Sequence, residues 1–328
     1  MLQEQALIVR ESTRLNTQTK DPEAFWEKFT QLCAQEDKSN TKLDPAQLDH
    51  VVCARIAALM QVLGPESVAM RKGLVKYLAA TSHAEATRAL AKLAIFSAED
   101  EVRNPAIEAL KVRREKDYTE VLLQGLRYPL PAVAKRATEA MTRLERADLV
   151  PELVSFLEEA DPRVPVMKDI GETKVPVVRE LVRINHHRNC LMCHSPAVPG
   201  EVPSHVTTAE VPRPDQPLPF PSDGYQNSIP EVLVRLDVTY LRQDFSLMQP
   251  VADANPWPEM QRFDYLVRNR VITNDEAKAF PAPKAGVLSP YQRFTLAALR
   301  ELTGRDAEPT AAAWRRLLGV KARAGTGG

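Results

Sequence analysis

Apolar positions recur at helical spacing, with short breaks, from about Leu43 to Leu157. Within that stretch a longer period is visible. The segment "DEVRNPAIEAL" (Asp100–Leu110) aligns with "PAVAKRATEAM" (Pro131–Met141) at an offset of 31 residues, pairing Val102 with Val133, Ala106 with Ala137 and Ala109 with Ala140. The helix predicted before each segment repeats as well, with Leu90, Ala91 and Ile95 matching Val121, Leu122 and Leu126. A third copy is expected to begin with Leu153, Leu157 and "DPRV", where Val164 stands 31 residues beyond Val133. Each unit reads as a helical hairpin with small residues where the helices approach. A lone hairpin cannot cover its apolar face, so such units stack into a solenoid. A generic bundle with coincidental spacing is the competing reading; agreement in both helices of the unit favours the repeat.

After Val164 the period breaks. One amphipathic helix is expected at about Val175–His187, with Val178, Leu181, Val182 and Ile184 on its apolar side, running directly into Cys190. Nine prolines between Pro196 and Pro230, with Phe220 and Tyr225 as rare apolar anchors, predict irregular extended chain. "VLVRLDVTYL" (Val232–Leu241) is β-like, and "NPWPEMQRFDYLVRNR" predicts a Trp-Pro turn and a short helix. "ITNDEAKAF" predicts a helix start with Asn274 as N-cap. Pro290–Leu302 and Thr310–Leu318 predict a closing hairpin before a frayed "KARAGTGG" tail. The "D-x-VR-x-x-A-x-x-AL" signature of the repeated unit resembles HEAT repeats over about Leu43–Val164, which implies a mainly all-α fold: a HEAT-like α-solenoid with an irregular, Pro-rich module and a little β. The expected division is an N-terminal helical segment (1–42), HEAT-like repeats (43–164), the Pro-rich module (165–286), and a C-terminal hairpin and tail (287–328).

Composition narrows the function classes. The 328 residues carry 43 Lys+Arg and 43 Asp+Glu, a formal charge of zero, which argues against non-specific binding to nucleic acid or to an anionic membrane surface. A hydrophobic content of 44% is that of a globular protein, and 12 Gly against 26 Pro fits re-aimed helices better than a sandwich or barrel. No run of 18 apolar residues predicts a membrane span. Four Cys make no disulfide framework, and Cys33 and Cys53 are expected to be buried thiols. Trp257 and Trp314 are expected as packing anchors. No Walker loop, GxSxG elbow or HExxH motif supports hydrolase or phosphotransferase chemistry, so a non-enzyme is favoured over an enzyme.

The chemistry concentrates in "HHRNCLMCHSP", His186 to Pro196. In C-x-x-C-H, two thiols at this spacing add to the two vinyl groups on one edge of a porphyrin, and the next imidazole reaches the iron. Cys190 and Cys193 fit the thioether roles, and His194 the axial ligand. Met248, beyond the proline-rich stretch, is the candidate sixth ligand, and a thioether there would raise the potential. Met260, His205, His186, His187 or an open position are the alternatives, with His186 and His187 also reading as a solvated helix end. Zinc is the alternative metal, held by Cys190 and Cys193 with His194, His187 or His205, although the usual second ligand pair is missing. A redox dithiol needs a strand–CxxC–helix context, whereas here a helix is expected before the pair.

"VRELVRINHHRNCLMCHSPA", "DVTYLRQDFSLMQPVADANPWPEMQRFDYLVRNR" and "LRELTGRDAEPTAAAWRRLL" resemble parts of bacterial HEAT-repeat proteins that carry a CxxCH, c-type-cytochrome-like motif. The resemblance covers most of Leu43–Leu318 and implies covalent haem c on Cys190 and Cys193 with His194 as ligand. It implies no activity or partner. The start "MLQEQALIVRESTRLN" lacks the basic and apolar regions of a signal peptide, while haem attachment requires export. A periplasmic or exported location is therefore expected if haem is bound, and a cytoplasmic one otherwise. The expected function is electron transfer or redox sensing, with a protein partner docking on the solenoid surface. An interaction scaffold with structural zinc, or with no metal, is the alternative.

Overall fold

The structure is a computed structural model that describes residues 21–39, 43–64, 66–171, 173–185, 195–196, 208–209, 238–239, 263–280 and 286–320. It is mainly helical with a small sheet, and it divides into two compact units, residues 1–161 with 288–328, and residues 162–287.

The first unit is helical throughout its described residues. It contains α1 (Pro22–Ser39), α2 (Pro45–Leu63), α3 (Val68–Ala80), α4 (Ala84–Phe96), α5 (Asp100–Lys111), α6 (Thr119–Leu126), α7 (Pro131–Arg143) and α8 (Val150–Phe156). Local chemistry starts these helices where the sequence places polar residues before apolar runs. Asp44 and Gln47 form a capping box at α2, with Pro45 in the first turn, and Ser67 accepts from Met70 N at α3.

The repeated positions are core positions. Val102 and Val133 are each the third residue of their helix, α5 and α7, and both are fully buried. Leu90, Ala91 and Ile95 in α4, and Leu122 and Leu126 in α6, are buried with them. α4 packs on α5, α6 packs on α7, and α4 also meets α6 and α7. At that junction Gly125 leaves no room for a side chain: a Cβ there would lie 2.9 Å from Ile95 Cδ1 and 3.0 Å from Ala137 Cβ.

The expected third copy is corrected beyond its first helix. α8 ends at Phe156, and Val164 lies in a turn instead of a helix. Pro165 disfavours the helical region for Val164 before it, and the chain enters a strand at Val166. The helix that packs on both α7 and α8 comes from much later in the chain: α10 (Pro290–Thr303). Its buried residues Tyr291, Thr295, Leu296, Ala298 and Leu299 stand at the same intervals as Val133, Ala137, Thr138, Ala140 and Met141 in α7. Tyr291 Oη donates to the Tyr128 carbonyl at 3.0 Å, and Gln292 Nε2 donates to the Leu157 carbonyl at 2.9 Å. A serine–glutamine capping box at Ser289 starts α10, and Gly304, at φ 64°, ends it. α11 (Ala311–Leu318) then packs on α8, with Trp314 fully buried as a packing anchor and Arg315 paired to both Glu158 oxygens at 2.6 Å.

An ion pair with a buried arginine links α3 to the start of α5. Arg71 in α3 donates to both carboxylate oxygens of Glu99, at 2.7 and 2.6 Å, and through Nε to the Glu66 carbonyl. Burial alone would raise the Glu99 carboxyl, but the hydrogen bonds and charge of Arg71 outweigh it and hold the group below its ordinary range.

The second unit is built on an antiparallel sheet. β1 (Val166–Ile170) turns at Gly171, φ 61°, into β2 (Thr173–Asn185). Two-residue strands follow, β3 (Ser195–Pro196) and β4 (Thr208–Ala209), paired parallel to each other. β5 (Val238–Thr239) and β6 (Phe263–Val271) complete the main sheet in the order β1-β2-β6-β5. β2 and β6 are in register from Val177↔Val271 to Asn185↔Phe263.

Two sequence expectations fail here. The helix expected at Val175–His187 is strand β2, and the short helix expected before Arg270 is strand β6. Thr173, Val175, Val177 and Val178 are β-branched, which favours the pleated strand. The apolar spacing fits either period, and the pairing of β2 with β6 decides it. Arg270 Nε donates to Glu180 across the two strands at 3.0 Å and reaches Glu276 on α9 (Asn274–Ala279) at 3.3 Å. The N-cap of α9 is Thr273, in a capping box with Glu276, and Asn274 is the first helical residue instead of the cap.

Candidate functional sites

Cys190, Cys193, His194 and Met248 lie outside the described residues, as do Met260, His205, His186, His187 and Trp257. What the structure describes is the approach to the motif. β2 stays paired with β6 to Asn185, five residues before Cys190, and Ser195–Pro196 follow His194 directly as β3. A strand therefore precedes the cysteines, which corrects the expected helix, and Ser195–Pro196 beyond His194 are extended.

A second group of sulfur, nitrogen and oxygen donors is assembled in the helical unit. Asp49 and Cys53 are four residues apart on α2 and share one face. His83 precedes α4 as its N-cap, with Nδ1 accepting from Glu85 N at 3.1 Å. Its Nε2 lies 2.8 Å from Asp49 Oδ1, and Cys53 Sγ lies 3.9 Å from Asp49 Oδ2. One ligand atom from each residue falls within 4.8 Å of the other two. Asp49 is exposed, whereas Cys53 and His83 are half-buried.

Electrostatics decide what this group can do. Burial, then the Asp49 and Glu85 carboxylates, push the Cys53 thiol up, against a smaller opposing effect of Arg88. The thiol is therefore protonated and a poor nucleophile. His83 does not activate it, because Nδ1 accepts the cap hydrogen bond and Nε2–H is directed at Asp49. A Cys–His–Asp hydrolytic arrangement is thus ruled out by the ring's own hydrogen bonds, and cation ligation is the chemistry the donors suit.

The two thiols of the helical unit differ. Cys33 is buried as expected; Cys53 is not sealed in apolar packing, which corrects the expectation for it. Near Cys33, burial first and then the cysteine push the Tyr77 hydroxyl up to about 12. The Asp49–Cys53 pair could have been read from its helical spacing. His83, 30 residues further on, carries no sequence signal that links it to them.

No family model matches the chain, and neither a curated protein nor a solved structure is significantly similar to it.

Proposed function

We propose that the protein is a haem c-binding HEAT-repeat protein that serves electron transfer or redox sensing. The observation that carries the proposal is the C-x-x-C-H spacing at residues 190–194. Two thiols and an adjacent imidazole are the donor set that a covalently attached haem requires. Cys190 and Cys193 would hold the porphyrin edge, His194 the iron, and Met248 the opposite side. The bound group would supply one-electron chemistry; the chain's own residues fix its ligands and exclude or admit solvent. Such attachment takes place outside the cytoplasm, so the reading includes export.

The helical unit supports the scaffold half of the proposal. α4 with α5 and α6 with α7 form two hairpins whose buried positions repeat, and the buried intervals of α10 continue the series. We read α8 and α10 as a third HEAT-like hairpin of a solenoid, with residues 162–287 inserted between its two helices. The insert carries the cysteine motif, and a protein partner would dock on the solenoid surface.

Expression with a haem-maturation system and export tests the proposal. A red protein that retains haem on a denaturing gel is expected, and Cys190→Ala with Cys193→Ala should abolish the stain. Met248→Ala should change the reduced-state spectrum, and an unchanged spectrum removes Met248 as ligand. A colourless product that binds one equivalent of zinc through Cys190 and Cys193 would replace this reading with that of a zinc-stabilised interaction scaffold.

A further inference from the structure

We propose that Asp49, Cys53 and His83 form a binding site for a single divalent cation of the zinc class, fastening α2 to the start of α4. These residues are distant in sequence from the cysteine motif, and their role does not depend on the haem reading.

Three different donor atoms converge from two helices: a carboxylate oxygen, a sulfur and an imidazole nitrogen. Hard cations such as Ca2+ and Mg2+ prefer all-oxygen sites, so a sulfur and a nitrogen select a borderline metal, with zinc the usual occupant of such a mixed set. The spacing agrees with this. Tetrahedral bonds of about 2.0 Å to N or O and about 2.3 Å to S place ligand atoms roughly 3.3–3.5 Å apart. Asp49 Oδ1 lies 2.8 Å from His83 Nε2 and Asp49 Oδ2 lies 3.9 Å from Cys53 Sγ, while one ligand atom from each residue lies within 4.8 Å of the other two. The Asp49 side chain is 59% exposed, so its carboxylate has room to turn towards a shared ion. The same exposure gives the cation an entry path and leaves the fourth coordination position to water. Glu85 adds a negative charge near the sulfur without belonging to the group itself.

Binding requires two proton movements. The Cys53 thiol releases its proton to solvent and ligates as thiolate. The His83 proton moves from Nε2 to Nδ1, so that Nε2 ligates and the cap hydrogen bond from Glu85 N is given up. Metal bonds to the thiolate and the imidazole offset the lost cap.

The test is a Co2+ titration of the full chain carrying Cys190→Ser and Cys193→Ser, followed through thiolate-to-cobalt charge transfer in the near ultraviolet. One equivalent with a thiolate band is expected, and adding Cys53→Ser should abolish that band. His83→Asn keeps a good N-cap side chain and removes the imidazole; it should weaken binding at least about tenfold. Zinc at a hundredfold its dissociation constant should raise the thermal midpoint of the double-serine protein by about 5 °C or more, and not that of the His83→Asn form. In the otherwise native chain, Cys53→Ser should remove one equivalent of thiolate-bound Co2+. A double-serine protein with no thiolate band overturns the proposal, as does a band that survives Cys53→Ser.

Discussion

The helical unit and the sheet unit are held together over very different distances along the chain. In the first, α4 meets α5 and α6 meets α7 across short turns. In the second, Val177 must find Val271 and Asn185 must find Phe263 before the central strand pair exists. Local contacts form at little loop-closure cost, whereas distant strand pairing is entropically late. The helical unit has one member that breaks its own rule: α10 reaches α7 and α8 only after residues 162–287 have intervened. The hairpins α4–α7 are therefore the part assembled from neighbouring sequence, and α10 is the joint at which the helical unit depends on distant sequence.

Perturbations of decreasing size probe that comparison. Leu90→Ala removes a fully buried side chain from α4, between hairpins, and should cost about 3 kcal/mol in chemical denaturation. A loss below about 1 kcal/mol would mean that the hairpins are not the stabilising core. Glu99→Ala leaves Arg71 without its carboxylate and should cost roughly 2 kcal/mol near neutral pH. Because the Glu99 carboxyl is lowered in the folded protein, its contribution is present above the unfolded value of about 4.3 and is lost as pH falls through the lower folded value. The native protein should therefore lose stability in that acid window, and Glu99→Gln should flatten the loss; an unchanged acid limb would contradict the ion pair.

Tyr291→Phe removes the hydrogen bond to the Tyr128 carbonyl and should cost about 1 kcal/mol. Its signature is selective: hydrogen exchange should quicken in α10 and α11 more than in α4 and α5. Uniform acceleration would show that α10 is not a separate joint. The smallest effect is expected from the largest change. Replacing residues 162–287 by a short Gly/Ser linker should leave the helical circular dichroism and thermal midpoint of the helical unit nearly unchanged. A collapse of helicity would show that the sheet unit is needed to hold it.

The sequence was most legible where residues repeat and their partners are near. The 31-residue offset located α4 to α7 because Val102 and Val133 answer to adjacent helices. It failed at Val164, where the prolines of "DPRVP" redirect the chain and the matching helix is supplied by Pro290–Thr303. It failed again at β2 and β6, whose apolar spacing suits both a helix and a strand until the distant partner is known. The cap of α9 was misplaced by one residue, because Thr273 and Asn274 are both good caps and only the capping box with Glu276 separates them. For the sites, a contiguous motif at residues 190–194 is visible by inspection. The group formed by Asp49, Cys53 and His83 exists only through the packing of α2 against α4, and half of its meaning lies in which nitrogen of His83 holds the proton.

The late arrival of α10 also matters while the chain is being made. Once α7 leaves the ribosome, about 150 residues must still be translated before its covering helix emerges, a delay on the order of ten seconds at ordinary elongation rates. Throughout that interval the face of α7 that α10 will cover is bare, and this is where a nascent-chain chaperone would find its foothold.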